Sequence, residues 1–307
     1  MTAGSTTNAG STGQRCGYVG LVGRPNVGKS TLLNRLLGMK LSIVSRRPQT
    51  TRHRILGVHT HGNTQLIYVD TPGLHGKQKK ALNRYLNRSA VAALRDVDVV
   101  VMLVEPGRWL EDDELVLEHV RQVDRPVIAV VNKVDLVPRK EALLPYLKEL
   151  SGRFAFSEIV PLSATKGQNV ESLQEAIRGY VPESVFYFPQ DQVTDRSQRF
   201  LVAELIREQL MRTLGQEIPY STSVEVEAFE ESKSLVRIAA VIWVERDGQK
   251  AIVIGQGGRQ LKLIGQNARR HIEQFMGKQA HVELWVKVRE GWADDERAMK
   301  SLGYDES

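Results

Sequence analysis

The stretch Gly23-Arg-Pro-Asn-Val-Gly28-Lys29-Ser30 decides the fold. It fits GxxxxGK[ST], and it sits where that motif needs to sit. Before it, residues 17–22 are short, apolar and β-prone. After it, residues 30–37 carry apolar side chains at helical spacing. A strand, a glycine-rich loop and a helix turn backbone N–H groups inward around phosphate oxygens and aim a helix N-terminus at them. Gly23, Arg24, Pro25, Asn26, Val27, Gly28, Lys29, Ser30 and Thr31 are therefore expected to form a nucleotide phosphate site. Lys29 is expected to reach the β/γ oxygens, and the Ser30 hydroxyl to ligate Mg²⁺.

Three more segments follow, each closing a β-prone run. Asp70-Thr71-Pro72-Gly73 ends the run 65–70. The acid at a strand end is placed to hold Mg²⁺ through water, and the Gly73 N–H to meet a γ-phosphate. Asn132-Lys133-Val134-Asp135 ends the run 127–131. A carboxylate at Asp135 accepts from both the ring N–H and the amine of guanine, and adenine has no such donor pair. Asn132 is expected to bond the base and pin the loop, and Lys133 to lay its stem over both. Ser163-Ala164-Thr165 ends the run 159–162, and the Ala164 N–H is placed to donate to the guanine carbonyl. Any one segment alone reads equally well as a turn. Together they stand in the order of a TRAFAC-type GTPase.

Between the first two lies Gln49-Thr50-Thr51-Arg52. It resembles the first switch loop of such GTPases, which implies that Thr51 or Thr50 supplies a Mg²⁺ hydroxyl in the triphosphate state. Thr51 is favoured, but adjacent threonines are not separable by sequence. The other residues of this loop read as solvated. The catalytic set is then Lys29, Thr51 and Gly73, and the Mg²⁺ set Ser30, Thr51 and Asp70. Ras-like enzymes place a water-orienting glutamine after the third motif. Here that residue is Leu74, so slow intrinsic hydrolysis is expected.

The buried β-branched run 97–104 and amphipathic stretches at 83–94, 111–122, 140–152 and 170–180 alternate with the strands. That pattern indicates a doubly wound α/β domain over 15–181. Residues 182–190 read as an extended linker, and 191–307 as a small α+β domain with its tail. Residues 1–14, all small or polar but for Met1, read as a disordered leader.

The formal charge of +6 is unevenly spread. Residues 1–90 hold 14 Lys and Arg against the single acid Asp70, while 91–189 carry −5 and 190–307 carry −2. Much of the first excess lies outside the phosphate loop, at Arg46, Arg47, Arg52, Arg54, Lys77, Lys79 and Lys80. This side is expected to face a polyanion. With one cysteine, Cys16, a disulfide framework and a cysteine-built zinc site are excluded.

The second domain has its own loop, Gly255-Gln256-Gly257-Gly258, followed by a helix with Arg259, Lys262, Arg269 and Arg270. A loop without Cβ atoms brings backbone amides close to an RNA phosphate. GxxG alone is weak, but here it lies in the α-β-β-α-GxxG-α-β order of a type II KH domain. Residues 250–289 carry +6 inside flanks of −4 each. Trp285 reads as core, Trp292 either as a stacking platform or as packing on the last long helix, and His271 and His281 as structural or phosphate-adjacent, not as metal sites.

These motifs and the run 284–304, LWVKVREGWADDERAMKSLGY, resemble the Era family of bacterial ribosome-assembly GTPases from about Gly17 to Tyr304. The resemblance implies a P-loop GTPase followed by a type II KH domain, using Mg²⁺ with GTP and GDP and acting as a monomer. It implies binding of the 3′ end of 16S rRNA during 30S subunit maturation, in the cytoplasm and partly at the inner membrane face. Asn26 matches the position that helps hold K⁺ in the TrmE–Era–EngA group. Two other readings stay open: an RNA-binding module that nucleotide merely stabilises, and a sister GTPase acting on another structured RNA.

Overall fold

The computed structural model describes residues 13–45, 47, 50–74, 76, 81–215, 218–302 and 304. Most of the expected leader, and Arg46, Gln49, Lys77, Lys79 and Lys80, lie outside them. The chain forms two domains.

The first is a six-stranded sheet in the order β2-β3-β1-β4-β5-β6. Its strands are β1 (Arg15–Val22), β2 (Ile55–His61), β3 (Thr64–Asp70), β4 (Val99–Val104), β5 (Val127–Val131) and β6 (Glu158–Pro161). All neighbours are parallel except β2, which runs antiparallel to β3. Every residue of β4 and β5 is buried, because helices cover both faces of the sheet. These are α1 (Lys29–Leu37), α2 (Ala81–Ala93), α3 (Glu111–Val120), α4 (Leu143–Arg153) and α5 (Val170–Tyr180). The chain leaves β1 toward β3 on one side and later toward β4 on the other. Ligands bind beyond the carboxyl ends of strands at such a switch. The four motif segments all lie there.

The sequence reading misses β2. Its residues alternate only weakly, with Gly57, His59, Thr60 and His61 among them, as an edge strand permits. The legible signal was Gly62-Asn63 between two β-prone runs. Helix α4 also begins later than expected, because a 3₁₀ turn at 140–142 precedes it.

Residues 182–190 include a bend at 187–188 and are fastened to the first domain. The buried Gln65 amide accepts from the N–H groups of Tyr187 and Phe188, both at 3.0 Å, and donates to the Phe188 carbonyl at 2.8 Å. Val58 N–H then bonds the Val193 carbonyl, so the chain continues along β2.

The second domain contains α6 (Gln198–Thr213), β7 (Thr222–Glu231), β8 (Leu235–Val244), α7 (Asp247–Ile254), α8 (Arg259–Met276), β9 (Gln279–Val288) and α9 (Glu296–Ser301). β8 pairs antiparallel with β7 and parallel with β9. α8 packs Ile264, Ala268 and Ile272 inward at helical spacing. α6 is buried on almost every side, because it lies between the domains: Leu201 joins the core of the first, and Val202 and Ile206 that of the second.

The two tryptophans correct the sequence reading. Trp285 is 44% exposed, since alternation along β9 turns Leu284 and Val286 inward and Trp285 outward. Trp292 is fully buried, but against α2 rather than α8. It lies with Ala81, Leu82, Tyr85 and Leu86 on one side and Ala298, Met299 and Tyr304 on the other. Its indole N–H donates to the Ser221 carbonyl at 3.2 Å. Trp292→Ala is expected to cost about 3–5 kcal/mol, measured by urea unfolding, and to expose α2 to proteolysis.

Candidate functional site

At the carboxyl ends of β1, β3, β5 and β6 lies a cavity of about 860 Å³. Pro25, Asn26, Gly28, Lys29, Ser30, Thr31, Thr50, Thr51, Gly73, Asn132, Lys133, Asp135 and Thr165 line it, so most of the expected site residues converge here. Its remaining wall includes Met211 and Arg212 of α6, which no motif pointed to.

The loop 23–28 needs its glycines for space. A Cβ on Gly28, which sits at φ 110°, would come within 2.2 Å of Asn132 Nδ2. A Cβ on Gly73 would come within 2.8 Å of the Pro25 nitrogen. The phosphate loop therefore comes this close to Asn132 and to the Asp70–Gly73 segment only because Gly28 and Gly73 carry no side chain. Lys29 is buried, and its Nζ donates to the carbonyls of Gly23 (2.8 Å) and Arg24 (3.0 Å). Burial pushes its ammonium down to about 8, against the pull of Asp70.

Arg24 is placed differently from its expected role. Its guanidinium turns away from the cavity, to Asp113 at 3.1 Å and Glu105 at 2.8 Å. What it offers the site is its carbonyl. Val27 is likewise core, and Thr71 donates to the Leu21 carbonyl at 2.9 Å.

Asp70 is fully buried. Its Oδ2 accepts from Ser42 (2.7 Å), Ser30 (3.0 Å) and Thr51 (3.3 Å), and the Ser30 and Thr51 hydroxyls are 2.8 Å apart. Burial raises its carboxyl above the usual range, opposed by the Ser42 bond and the Lys29 charge. Oδ1 is buried with no hydrogen-bond partner among the described residues. Two hydroxyls, a carboxylate and an unsatisfied oxygen at one point suit a hard divalent cation. The geometry separates the two threonines: Thr50 Oγ1 donates instead to the Arg47 carbonyl, at 2.7 Å.

At the base end, Asn132 ties two loops together. Its amide donates to the Val27 carbonyl at 2.8 Å, and its oxygen accepts from the Ala164 N–H at 3.0 Å. The Ala164 N–H therefore faces Asn132 and not the base position expected for it. Ser163 is buried and caps its own turn by accepting from Lys166 N–H at 3.1 Å. Lys133, at φ 66°, donates to the Asn26 carbonyl at 2.8 Å and pairs with Glu105, so its stem crosses the phosphate loop. Asp135 is exposed at the mouth. Leu74 is 1% exposed in the core and presents nothing to the cavity.

The loop carrying Thr51 is not solvated, contrary to expectation. Arg52 is fully buried and bonds the carbonyls of Thr222 (2.7 Å) and Tyr220 (3.1 Å) and the Tyr304 hydroxyl (3.1 Å). Arg47 donates to the carbonyls of Leu214 and Gly215. His53 stacks on Tyr304 at 4.7 Å, and burial pushes its imidazole down to about 4. Glu204 and Arg207 on α6 form a buried pair at 2.6 Å, and Arg207 donates to the Thr50 carbonyl. Burial would raise the Glu204 carboxyl, but Arg207 holds it below the usual range.

In the second domain, Gly255 and Gly257 take positive φ, and a Cβ on Gly255 would come within 2.6 Å of Gln260. Gln256 and Gly257 stand exposed at the tip, and Gly258 opens α8. Arg259, Lys262, Arg269 and Arg270 are exposed along that helix. The sequence reading missed Ile252 (53% exposed) and Leu263 (44%), apolar residues on the helices flanking the loop. His271 bonds Gln209 at 2.9 Å and His281 bonds Glu283 at 3.0 Å.

A bound phosphate raises the Lys29 ammonium above its value near 8. Between pH 8 and that higher value, binding draws in a proton, so nucleotide affinity falls as pH rises, by up to about tenfold per pH unit. Titration calorimetry at pH 8.8, in two buffers of different ionisation enthalpy, measures the uptake.

The family described as "50S ribosome-binding GTPase" matches residues 18–133, and the one described as "KH domain" matches residues 217–293. The GTPase Era of Pseudomonas aeruginosa PAO1 is 54% identical over 292 residues, covering 95% of this chain and 96% of that protein. The GTPase Era of Coxiella burnetii is 53% identical over 291 residues, covering 95% and 98%. Among solved structures, a variant Era of Aquifex aeolicus bound to GDP and AlF₄⁻ superimposes with a TM-score of 0.91 at 37% identity, covering 95% of this chain and 99% of that one. An Era in complex with MgGDPNP and nucleotides 1506–1542 of 16S ribosomal RNA gives the same score, identity and coverage. With its motifs converging in one cavity and such relatives matched nearly end to end, the chain belongs to the Era family of GTPases.

Proposed function

We propose that the cavity binds GTP with Mg²⁺ and hydrolyses it slowly, and that nucleotide state governs how the KH groove takes the 3′ end of 16S rRNA during 30S subunit maturation. The observation that carries this is the meeting of Ser30, Thr51 and Asp70 in a cavity whose far wall, Met211 and Arg212, belongs to the second domain. The Era solved with MgGDPNP and 16S rRNA supports both halves of the reading.

The Ser30 and Thr51 hydroxyls would hold Mg²⁺, with Asp70 behind them through water. When bound, the ion supplies positive charge between the β- and γ-phosphates. Lys29 neutralises the same oxygens from a buried position, where its charge is poorly screened. The Gly73 N–H is held at the γ-phosphate end by the close approach of Pro25. Asp135 selects guanine, and Asn132 fixes the distance between phosphate loop and base loop. No glutamine assists the attacking water, since Leu74 is core. Asn26, at φ 63° on the cavity wall, is our candidate K⁺ ligand.

The loop 255–258 would take RNA phosphates, with Arg259, Lys262, Arg269 and Arg270 along one flank and Ile252 and Leu263 beside it for bases. Localisation to the cytoplasm as a monomer belongs to the same proposal. So does a peripheral contact with the inner membrane face, carried only by the basic first third. Among the described residues, no helix is long and apolar enough to cross a membrane.

Two measurements test this. Affinity for an RNA of the 16S 3′ end is expected to differ by at least about fivefold between GDP and a non-hydrolysable GTP analogue; equal affinities would reduce the nucleotide to a stabiliser. Hydrolysis is expected to be faster in K⁺ than in Na⁺ buffer, with Asn26→Ala removing the difference.

A further inference from the structure

Thr51 faces the first domain, while the residues on either side of it are held by the second. The Thr50 carbonyl accepts from Arg207. Arg52 sits in the carbonyls of Tyr220 and Thr222 and on the Tyr304 hydroxyl. His53 is stacked on Tyr304 and meets Phe200 edge-on at 5.2 Å. The Arg54 carbonyl accepts from Arg196 Nε at 3.2 Å. The Thr51 hydroxyl, between these anchors, reaches Ser30 and Asp70.

We propose that Arg52 is a positioning residue for GTP hydrolysis: seated in the second domain, it fixes the Thr51 hydroxyl at the Ser30–Asp70 point, so the docked KH domain is part of the hydrolytic machinery. This rests on Thr51 being a Mg²⁺ ligand, as read above.

The chemistry requires arginine. Among the described residues three acceptors in different directions meet one buried cation, and a planar fork of N–H groups reaches them where a single ammonium on a shorter stem does not. The seat is rigid. Tyr304 stacks on Trp292 at 5.8 Å and meets Tyr85 of α2 edge-on at 6.0 Å, so its hydroxyl is fixed by both domains. Arg52 touches no nucleotide position itself. Its effect passes through the one peptide bond that joins it to Thr51, and a shift of about 1 Å in a positioned group is enough to slow a reaction by about a hundredfold.

The test is single-turnover GTP hydrolysis against Mg²⁺ concentration in the full chain, for Arg52→Lys, Tyr304→Phe, Thr51→Ala and the Thr51→Ala/Arg52→Lys double variant. Tyr304→Phe keeps the ring stack and removes only the hydroxyl, so it tests the seat without endangering the fold. Arg52→Lys is expected to lower kcat about tenfold or more and to raise the Mg²⁺ needed for half-maximal rate. Tyr304→Phe should move both in the same direction by about two- to fivefold. Both should bind GDP with unchanged affinity. Because Arg52 acts through Thr51, the double variant should be no slower than Thr51→Ala alone. Wild-type kcat and Mg²⁺ dependence in Arg52→Lys and Tyr304→Phe would overturn the proposal, as would a double variant slower by the product of the single effects. If Thr51→Ala itself left the Mg²⁺ dependence unchanged, the metal reading would fall and this proposal with it. A Mg²⁺ defect in Thr51→Ala with none in Arg52→Lys would remove the positioning role alone.

Discussion

A carboxylate with no exposed surface holds this molecule's active end together. Asp70 is the only acid in the first ninety residues, and burial pushes its carboxyl above the usual range. Three hydroxyls answer on one oxygen, each from a different stretch: Ser30 from the start of α1, Ser42 from the loop after it, and Thr51 from the loop before β2. Lys29 adds its charge nearby. Phosphate loop, switch loop and third motif are thus brought to one point by the demand of a single buried charge. The other oxygen is left for what the fold does not itself provide.

The second organising fact is a wall shared by two domains. α6 precedes the matched KH segment and packs Val202 and Ile206 into the second core, yet it closes the nucleotide cavity with Met211 and Arg212 and grips the Thr51 loop through Arg207. Charges on such a wall cannot be left alone. Glu204 is matched by Arg207, and Glu208 by Lys40 at 2.5 Å and Arg212 at 2.9 Å. Removing Arg207 strands Glu204 in a place water scarcely reaches, which costs far more than the pair contributes. Domain docking is therefore highly specific.

What could be read from the sequence was whatever is local. The phosphate loop announces itself because a tight turn around phosphate needs glycines at fixed spacing. The strands β4 and β5 do so because burial on both faces leaves only apolar residues. The KH loop was legible by its order among the elements. Several of the misreadings concern contacts between segments far apart in the chain. Arg52 in a loop of arginines looks solvated, and Tyr220, Thr222 and Tyr304 take it up. Glu204, Arg207 and Glu208 carry no motif, and burial of α6 on nearly every side leaves no periodicity to mark them. Alternation along β9 turned Trp285 outward against the core reading, and of the two readings of Trp292 it is packing that holds, on the distant α2.

The anchoring of the switch loop on Tyr304 has a consequence for the birth of the protein. The central sheet is complete once residue 161 has been made, and its core needs little beyond α5. The seats for Arg52 arrive later, at Tyr220, Thr222 and finally Tyr304. At ordinary rates of synthesis the last of these follows the sheet by roughly ten seconds or more. During that interval Thr51 has its partners Ser30 and Asp70, but the residues flanking it lack their anchors on the second domain. On the role proposed for Arg52, hydrolysis waits for those anchors. Full turnover thus becomes a property of the assembled chain, and the ribosome that makes this protein releases it in the order grip first, trigger last.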